Sequence, residues 1–103
     1  MSAVKGRNRE NYIKRKLLDE GADLVIRSAG SKGPADLIAI FLESREVWFI
    51  QVKGPNDMAS KDELTELAKL AGHFKARSFV IFKRKKRYVT HELKIVEDRV
   101  NTL

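Results

Sequence analysis

Cysteine is absent from this chain of 103 residues. That excludes a disulfide framework and any thiolate metal site, and it agrees with a cytoplasmic home. No run of about 18 apolar residues occurs, so no transmembrane helix is expected. The opening stretch MSAVKGRNREN lacks the apolar segment of a secretory signal, which again points inside the cell. Neither histidine, His73 or His91, has partner spacing for zinc, and both are expected at the surface. The stretch AGSKG (29–33) groups glycine, serine and lysine, but its lysine follows its serine and the phosphate-loop spacing is missing, which argues against ATP. Internal repeats, low-complexity tracts and linkers are missing too, so residues 1–103 read as one domain.

Negative charge is in short supply. Lys and Arg number 21 against 14 Asp and Glu, a formal charge of +7, and the pI is about 9.9. Such an excess suits a polyanionic partner, most often nucleic acid. On charge alone that reading and a merely basic soluble domain stand level. A membrane partner is not expected, because no segment pairs a basic face with a broad apolar one.

What is present is a short run of elements. From about Asn8 to Glu20 the pattern is helical, with Ile13 and Leu17 four apart and Leu18 widening the stripe. Gly21 stands where a helix end takes a left-handed residue. Residues 24–28 read as a first strand and SAGSKGP (28–34) as a turn. Residues 35–41 read as a second strand, 42–46 as a polar turn and 47–53 as a third strand. Gly54 and Pro55 break it. A second helix over 61–74 shows Leu64, Leu67, Ala68, Ala71 and Phe74 on one face. Residues 78–82 form a fourth strand, KRKKR (83–87) a basic turn, and 88–90 a short fifth strand. The tail with Leu93, Ile95 and Val96 is left unassigned. A three-strand meander followed by a crossover helix predicts an α/β fold, a mixed central sheet flanked by helices.

The third strand, VWFIQVK, ends by turning polar. Gln51 and Lys53 are two apart and share a face of the sheet. Asp36 opens the second strand, so a hairpin about 42–46 brings it beside them. Glu10 precedes Ile13 by three residues and Leu17 by seven, on the apolar helix face. A carboxylate packed there is costly unless a cation compensates it. Oxygens of Glu10, Asp36 and Gln51, with the backbone carbonyl of Val52, suit magnesium, with manganese as a substitute. Lys53 beside the metal would neutralise charge on an attacked phosphate. Each residue also has a plainer reading. Asp36 could cap a turn, Glu10 could pair with Lys14, and Gln51 and Lys53 could face solvent. The joint reading is favoured because the expected topology brings all four together.

These residues resemble a known pattern. A helix Glu, an Asp opening a strand and (Glu/Gln)-x-Lys closing the next are similar to the PD-(D/E)xK nuclease superfamily. KGRNRENYIKRKLLDEGA (5–22), VIRSAGSKGPADLIAI (25–40) and FIQVKG (49–54) look like the archaeal-type Holliday junction resolvases, also carried by some viruses and phages. The resemblance covers roughly residues 5–83. It implies a restriction-endonuclease-like αβββαβ core and a homodimer. It also implies a magnesium-dependent endodeoxyribonuclease that resolves four-way DNA junctions by paired phosphodiester hydrolysis. Glu10, Asp36 and Gln51 would hold the metal and Lys53 would be the catalytic lysine. Arg27, Ser28 and Ser31 fall in a loop that contributes to cleavage, the serines as phosphate contacts and not as nucleophiles. Phe74 matches an aromatic concerned with assembly or junction handling, although a core phenylalanine is the plainer reading.

Most members of that family carry Glu where this chain has Gln51. An amide oxygen still ligates, as in the Mrr-like relatives, but the missing charge implies weaker metal binding. Asn11 also stands where some relatives have Arg, with Arg9 nearby. Alternative readings are therefore a nuclease of the same fold acting on other branched or duplex DNA, or a junction-binding protein with weakened catalysis. Under any of these, Lys5, Arg7, Arg9, Lys14, Arg15, Arg27 and Lys32 become phosphate contacts. So do Lys83, Arg84, Lys85 and Lys86, unless the 83–87 run is a solvated turn. Phe41, Leu42, Trp48 and Phe74 are the apolar candidates for a dimer interface.

Overall fold

A computed structural model describes the backbone of residues 3–28, 33–96 and 99–102, and the side chains of those ranges from Arg7 onward. Ser31 and Lys32 lie outside the described residues, as does the side chain of Lys5. The elements are α1 (Ala3–Asp19), β1 (Leu24–Arg27), β2 (Leu37–Phe41), β3 (Glu46–Lys53), α2 (Lys61–His73), β4 (Arg77–Lys83), β5 (Tyr88–Val96) and β6 (Arg99–Thr102). All six strands join one sheet in chain order. Every neighbouring pair is antiparallel except β3 and β4, which run parallel. A parallel pair needs a crossover, and α2 supplies it.

Local chemistry accounts for the helix ends. At the start of α2 the Ser60 hydroxyl accepts the Glu63 N–H at 3.0 Å, and a Glu63 carboxylate oxygen accepts the Ser60 N–H at 3.3 Å. That reciprocal pair satisfies two amides the helix leaves open. Gly21 closes α1 with a φ of 118°, and the N–H of Ala22 reaches back to the Leu17 carbonyl at 3.0 Å.

Strand alternation divides the core in two. On the α1 side, Ile13 and Leu17 pack on Val25, Leu37, Ala39, Ile50, Phe79 and Ile81. On the α2 side, Leu67, Ala68 and Ala71 pack on Phe49, Val80 and Leu93. Along β3, Ile50 therefore points toward α1, whereas Phe49, and with it Gln51 and Lys53, point toward α2. Ile50 is fully buried. Ile50→Ala is expected to cost about 2–5 kcal/mol, read as a lower urea midpoint at unchanged slope.

Several expectations need correction. Helix α1 begins at Ala3 and not at Asn8, because the polar first turns carry no apolar period to reveal them. Strand β5 runs nine residues where three were expected, and the unassigned tail continues it and adds β6. Its middle includes Thr90, exposed, and His91, half-buried, which give no apolar signal. Phe74 leaves the core face. It caps α2, is 67% exposed, and touches Phe49 only at a ring separation of 6.0 Å. Of the interface candidates, Leu42 and Phe74 are exposed. Trp48 is held in a row between Phe41 and Phe79, with 4.5 Å between ring centres on each side. Among the described residues, no helix is long and apolar enough to cross a membrane.

Candidate active site

The β2–β3 register pairs Leu37 with Ile50, which sets Asp36 beside Gln51 at the next step. The backbone continues the ladder there, since the Asp36 N–H donates to the Ile50 carbonyl at 2.8 Å. The Asp36 carboxylate then accepts the Val52 N–H at 2.8 Å. Asp36 is thus fastened to the end of β3 by both its backbone and its side chain. Burial pushes its pKa up, the Val52 N–H opposes that, and the carboxylates of Glu10 and Glu63 add to the rise while Lys53 counters it.

Gln51 is a buried polar residue, 6% exposed. Its amide nitrogen donates to the Pro34 carbonyl at 3.3 Å and to a Glu63 carboxylate oxygen at 3.2 Å. Two acceptors on one end fix which end is nitrogen. The oxygen, Oε1, is buried and has no hydrogen-bond partner among the described residues. A buried amide oxygen left in this way is costly on its own.

Lys53 donates to the same Glu63 oxygen at 2.7 Å. That contact is the main reason the Glu63 carboxyl lies below its ordinary pKa. Sequence reasoning missed Glu63. Its signal was present in the Ser60-x-x-Glu63 capping pattern, which marks a helix start. A crossover helix that follows a strand begins near that strand's end, so the carboxylate falls beside Lys53.

Glu10 is half-buried and takes Arg27 Nη1 at 3.3 Å, in place of the pair with Lys14. It acts on Asp36 through space. Asp36, Gln51 and Lys53 therefore gather as expected, with Glu10 and Arg27 flanking them. Ser28 adjoins the group, its N–H donating to the Asp36 carbonyl at 2.9 Å. At Val52 the recorded contact is made by the N–H. Among the described residues, no group of three or more His, Asp or Glu stands close enough to hold a metal ion. The donor set that fits a hard cation is thus mixed, one carboxylate of raised pKa beside an amide oxygen without a donor.

The basic residues divide by place. Arg9 lies against Gly54, where a Cβ would come within 2.9 Å of the guanidinium, and its Nη2 is 4.0 Å from Asp57. Lys83 sits 4.7 Å from the Tyr88 ring centre and Arg84 4.6 Å from that of Phe82. Register pairs Lys53 with Phe82 and Lys83 with Tyr88, so these cations share the sheet end that carries the site. Arg7 and Arg15 are exposed on α1, Lys14 is half-exposed there, and Lys85 and Lys86 are exposed in the β4–β5 turn.

A family model described as archaeal Holliday junction resolvase (hjc) matches residues 1–102. Among solved structures, the chain is similar to Hjc, a Holliday junction resolvase from the archaeal hyperthermophile Archaeoglobus fulgidus. The TM-score is 0.68 and the identity 24%, over 90% of this chain and 82% of that one. At that identity the likeness is one of fold, the mixed sheet with its two flanking helices. No curated protein sequence matches the chain.

Proposed function

The chain belongs to the archaeal Holliday junction resolvase family, whose members are junction-resolving nucleases, and from that premise we propose that it works through the site at the end of β3. One domain, residues 1–103, carries the site, and a homodimer presents two of them. Two related sites match the approximate symmetry of a four-way junction and would nick opposed strands as a pair. Such a substrate places the protein in the cytoplasm, with DNA.

Asp36, Gln51 through Oε1, and Glu10 would hold a divalent cation, with the Val52 carbonyl completing the set. Magnesium suits these oxygens and manganese would substitute. A bound cation supplies an activated water and positive charge at the attacked phosphate. Lys53 meets the negative charge that develops on that phosphate. Glu63 holds the Lys53 ammonium and, by accepting from Gln51 Nε2, turns Oε1 away from itself. Arg27 and Ser28, and with them Ser31 and Lys32, would contact the phosphates on either side. The orphaned buried Oε1 of Gln51, next to a carboxylate of raised pKa, is the observation that carries the reading.

Cleavage of a labelled immobile four-way junction beside its linear duplex, with magnesium and with chelator, tests this function. Paired, magnesium-dependent nicks in the junction alone are expected. Equal cutting of the duplex would make this a nuclease for another substrate. Tight binding without cutting would overturn the catalytic reading.

A further inference from the structure

The loop that follows Lys53 holds out an apolar side chain. Met58 is 87% exposed, more than any other large hydrophobic among the described residues. Its neighbours on both sides are fastened. Before it, Asp57 closes a turn on Gly54. The Gly54 N–H donates to the Asp57 carboxylate at 2.8 Å, and the Asp57 N–H donates to the Gly54 carbonyl at 3.2 Å. Arg9 of α1 stands 4.0 Å from the same carboxylate. A Cβ at Gly54 would come within 2.9 Å of both the guanidinium and that carboxylate, so the three groups close on one another. After Met58, Ala59 packs on the α2-side core and Ser60 caps α2. The side chain of Met58 is thus presented to solvent from a closed turn, and at 87% exposure it contributes little to the core.

We propose that Met58 covers an unstacked base pair at the branch point, as an apolar wedge beside the scissile phosphate. The inference rests on the junction-resolving reading above and adds to it a contact that tells a branch from a plain duplex. Place is the first argument. Strand β3 delivers Lys53 to the attacked phosphate, and the chain leaves that point through this loop, with Met58 five positions on. Chemistry is the second. Inside a continuous duplex every base pair is stacked on both faces. A branch interrupts the stack and leaves an apolar base face for a side chain to cover. Methionine is unbranched and polarizable, so it adapts to an irregular surface. It is also among the side chains that wedge between base steps. Phosphate contacts cannot make the same distinction, because every duplex offers phosphates. The closed turn is the third argument, since a loop already held in place loses little freedom on binding.

Junctions carrying 2-aminopurine, whose fluorescence rises on unstacking, test the wedge in chelator, with linear duplex as the reference. The wild type is expected to raise the signal of a probe at the branch point and to leave a probe within an arm unchanged. Met58→Ala is expected to lose most of that rise and to bind the junction about tenfold more weakly, while binding linear duplex as the wild type does. Its salt slope should stay at the wild-type value, because the lost contact is apolar and releases no counterion. Met58→Leu, still an apolar wedge, is expected to keep both the rise and the affinity. Both variants should melt with the wild type, since the side chain is exposed. A Met58→Ala protein that matches the wild type in branch-point signal and junction affinity overturns the proposal. So does an equal loss of affinity for junction and duplex. If either result comes with a wild type that prefers and cuts junctions, the wedge fails alone. If the wild type neither prefers nor cuts junctions, the resolvase reading fails with it.

Discussion

Asp36→Asn is expected to give a protein that still binds the junction, does not cut it, and melts at a higher temperature in chelator. The loss of cutting follows from removing the carboxylate that accepts the Val52 N–H at the end of β3, and should reach at least about a hundredfold. Binding is expected to survive because the proposed phosphate contacts lie elsewhere. The stability gain follows from the sign of the pKa shift. Burial raises the Asp36 pKa above its ordinary value of 3.8, so the ionised carboxylate is less stable in the folded chain than in the unfolded one. That penalty is absent below about pH 3.8, grows as pH rises through the folded pKa, and is fully present at neutral pH. Asparagine removes the charge while its Oδ1 keeps an acceptor for the Val52 N–H. Thermal melts at neutral pH and below the ordinary carboxylate range, in chelator, should show the gain only at neutral pH. Unchanged cleavage, or a lower melting temperature at neutral pH, contradicts this assignment of Asp36.

A charge swap between positions 51 and 63 is the second large effect. Placing a carboxylate at position 51, by Gln51→Glu alone, is expected to impair the protein. The Gln51 nitrogen now donates to the Pro34 carbonyl and to Glu63, and a carboxylate there would face both acceptors with no proton to offer. Two carboxylates about 3 Å apart resist joint ionisation. Glu63→Gln alone removes the carboxylate that holds Lys53. The double variant, Gln51→Glu/Glu63→Gln, restores one donor and one carboxylate with the places exchanged. Cleavage rates of the four proteins should therefore be non-additive, with the double variant faster than either single one. The coupling is on the order of 1–3 kcal/mol, or roughly five- to 150-fold in rate. Additive losses, or a Gln51→Glu protein faster than the wild type, would remove Glu63 from the account.

Why Asp36 and Gln51 could be paired from sequence while Glu63 could not is a matter of range. The Asp36–Gln51 contact needs only strand alternation and one hairpin turn, both written in the hydrophobic pattern. Lys53 follows by parity. Glu63 reaches the site across a crossover, and its local pattern is fully explained as a helix cap, so nothing local marks a second use. Glu10 was placed on the correct helix, but its partner Arg27 belongs to β1, seventeen positions on, and helix spacing could offer only Lys14 as the plainer alternative. The continuation of β5 past Thr90 and the whole of β6 were hidden for a different reason. They stand at the sheet's far side, where one half-covered face asks for little apolar content, and only Leu93 of β5 is buried. Phe74 fitted the apolar stripe of α2 by spacing, yet it falls one residue past the helix end, where the backbone no longer keeps the helical phase.

Uptake of manganese by the DNA-free protein, followed by electron paramagnetic resonance, tests most directly whether this strand end is a metal centre. One saturable site per chain is predicted for the wild type, lost in Asp36→Asn and weakened in Gln51→Leu. A wild type without saturable uptake, or uptake that persists unchanged in Asp36→Asn, would contradict it.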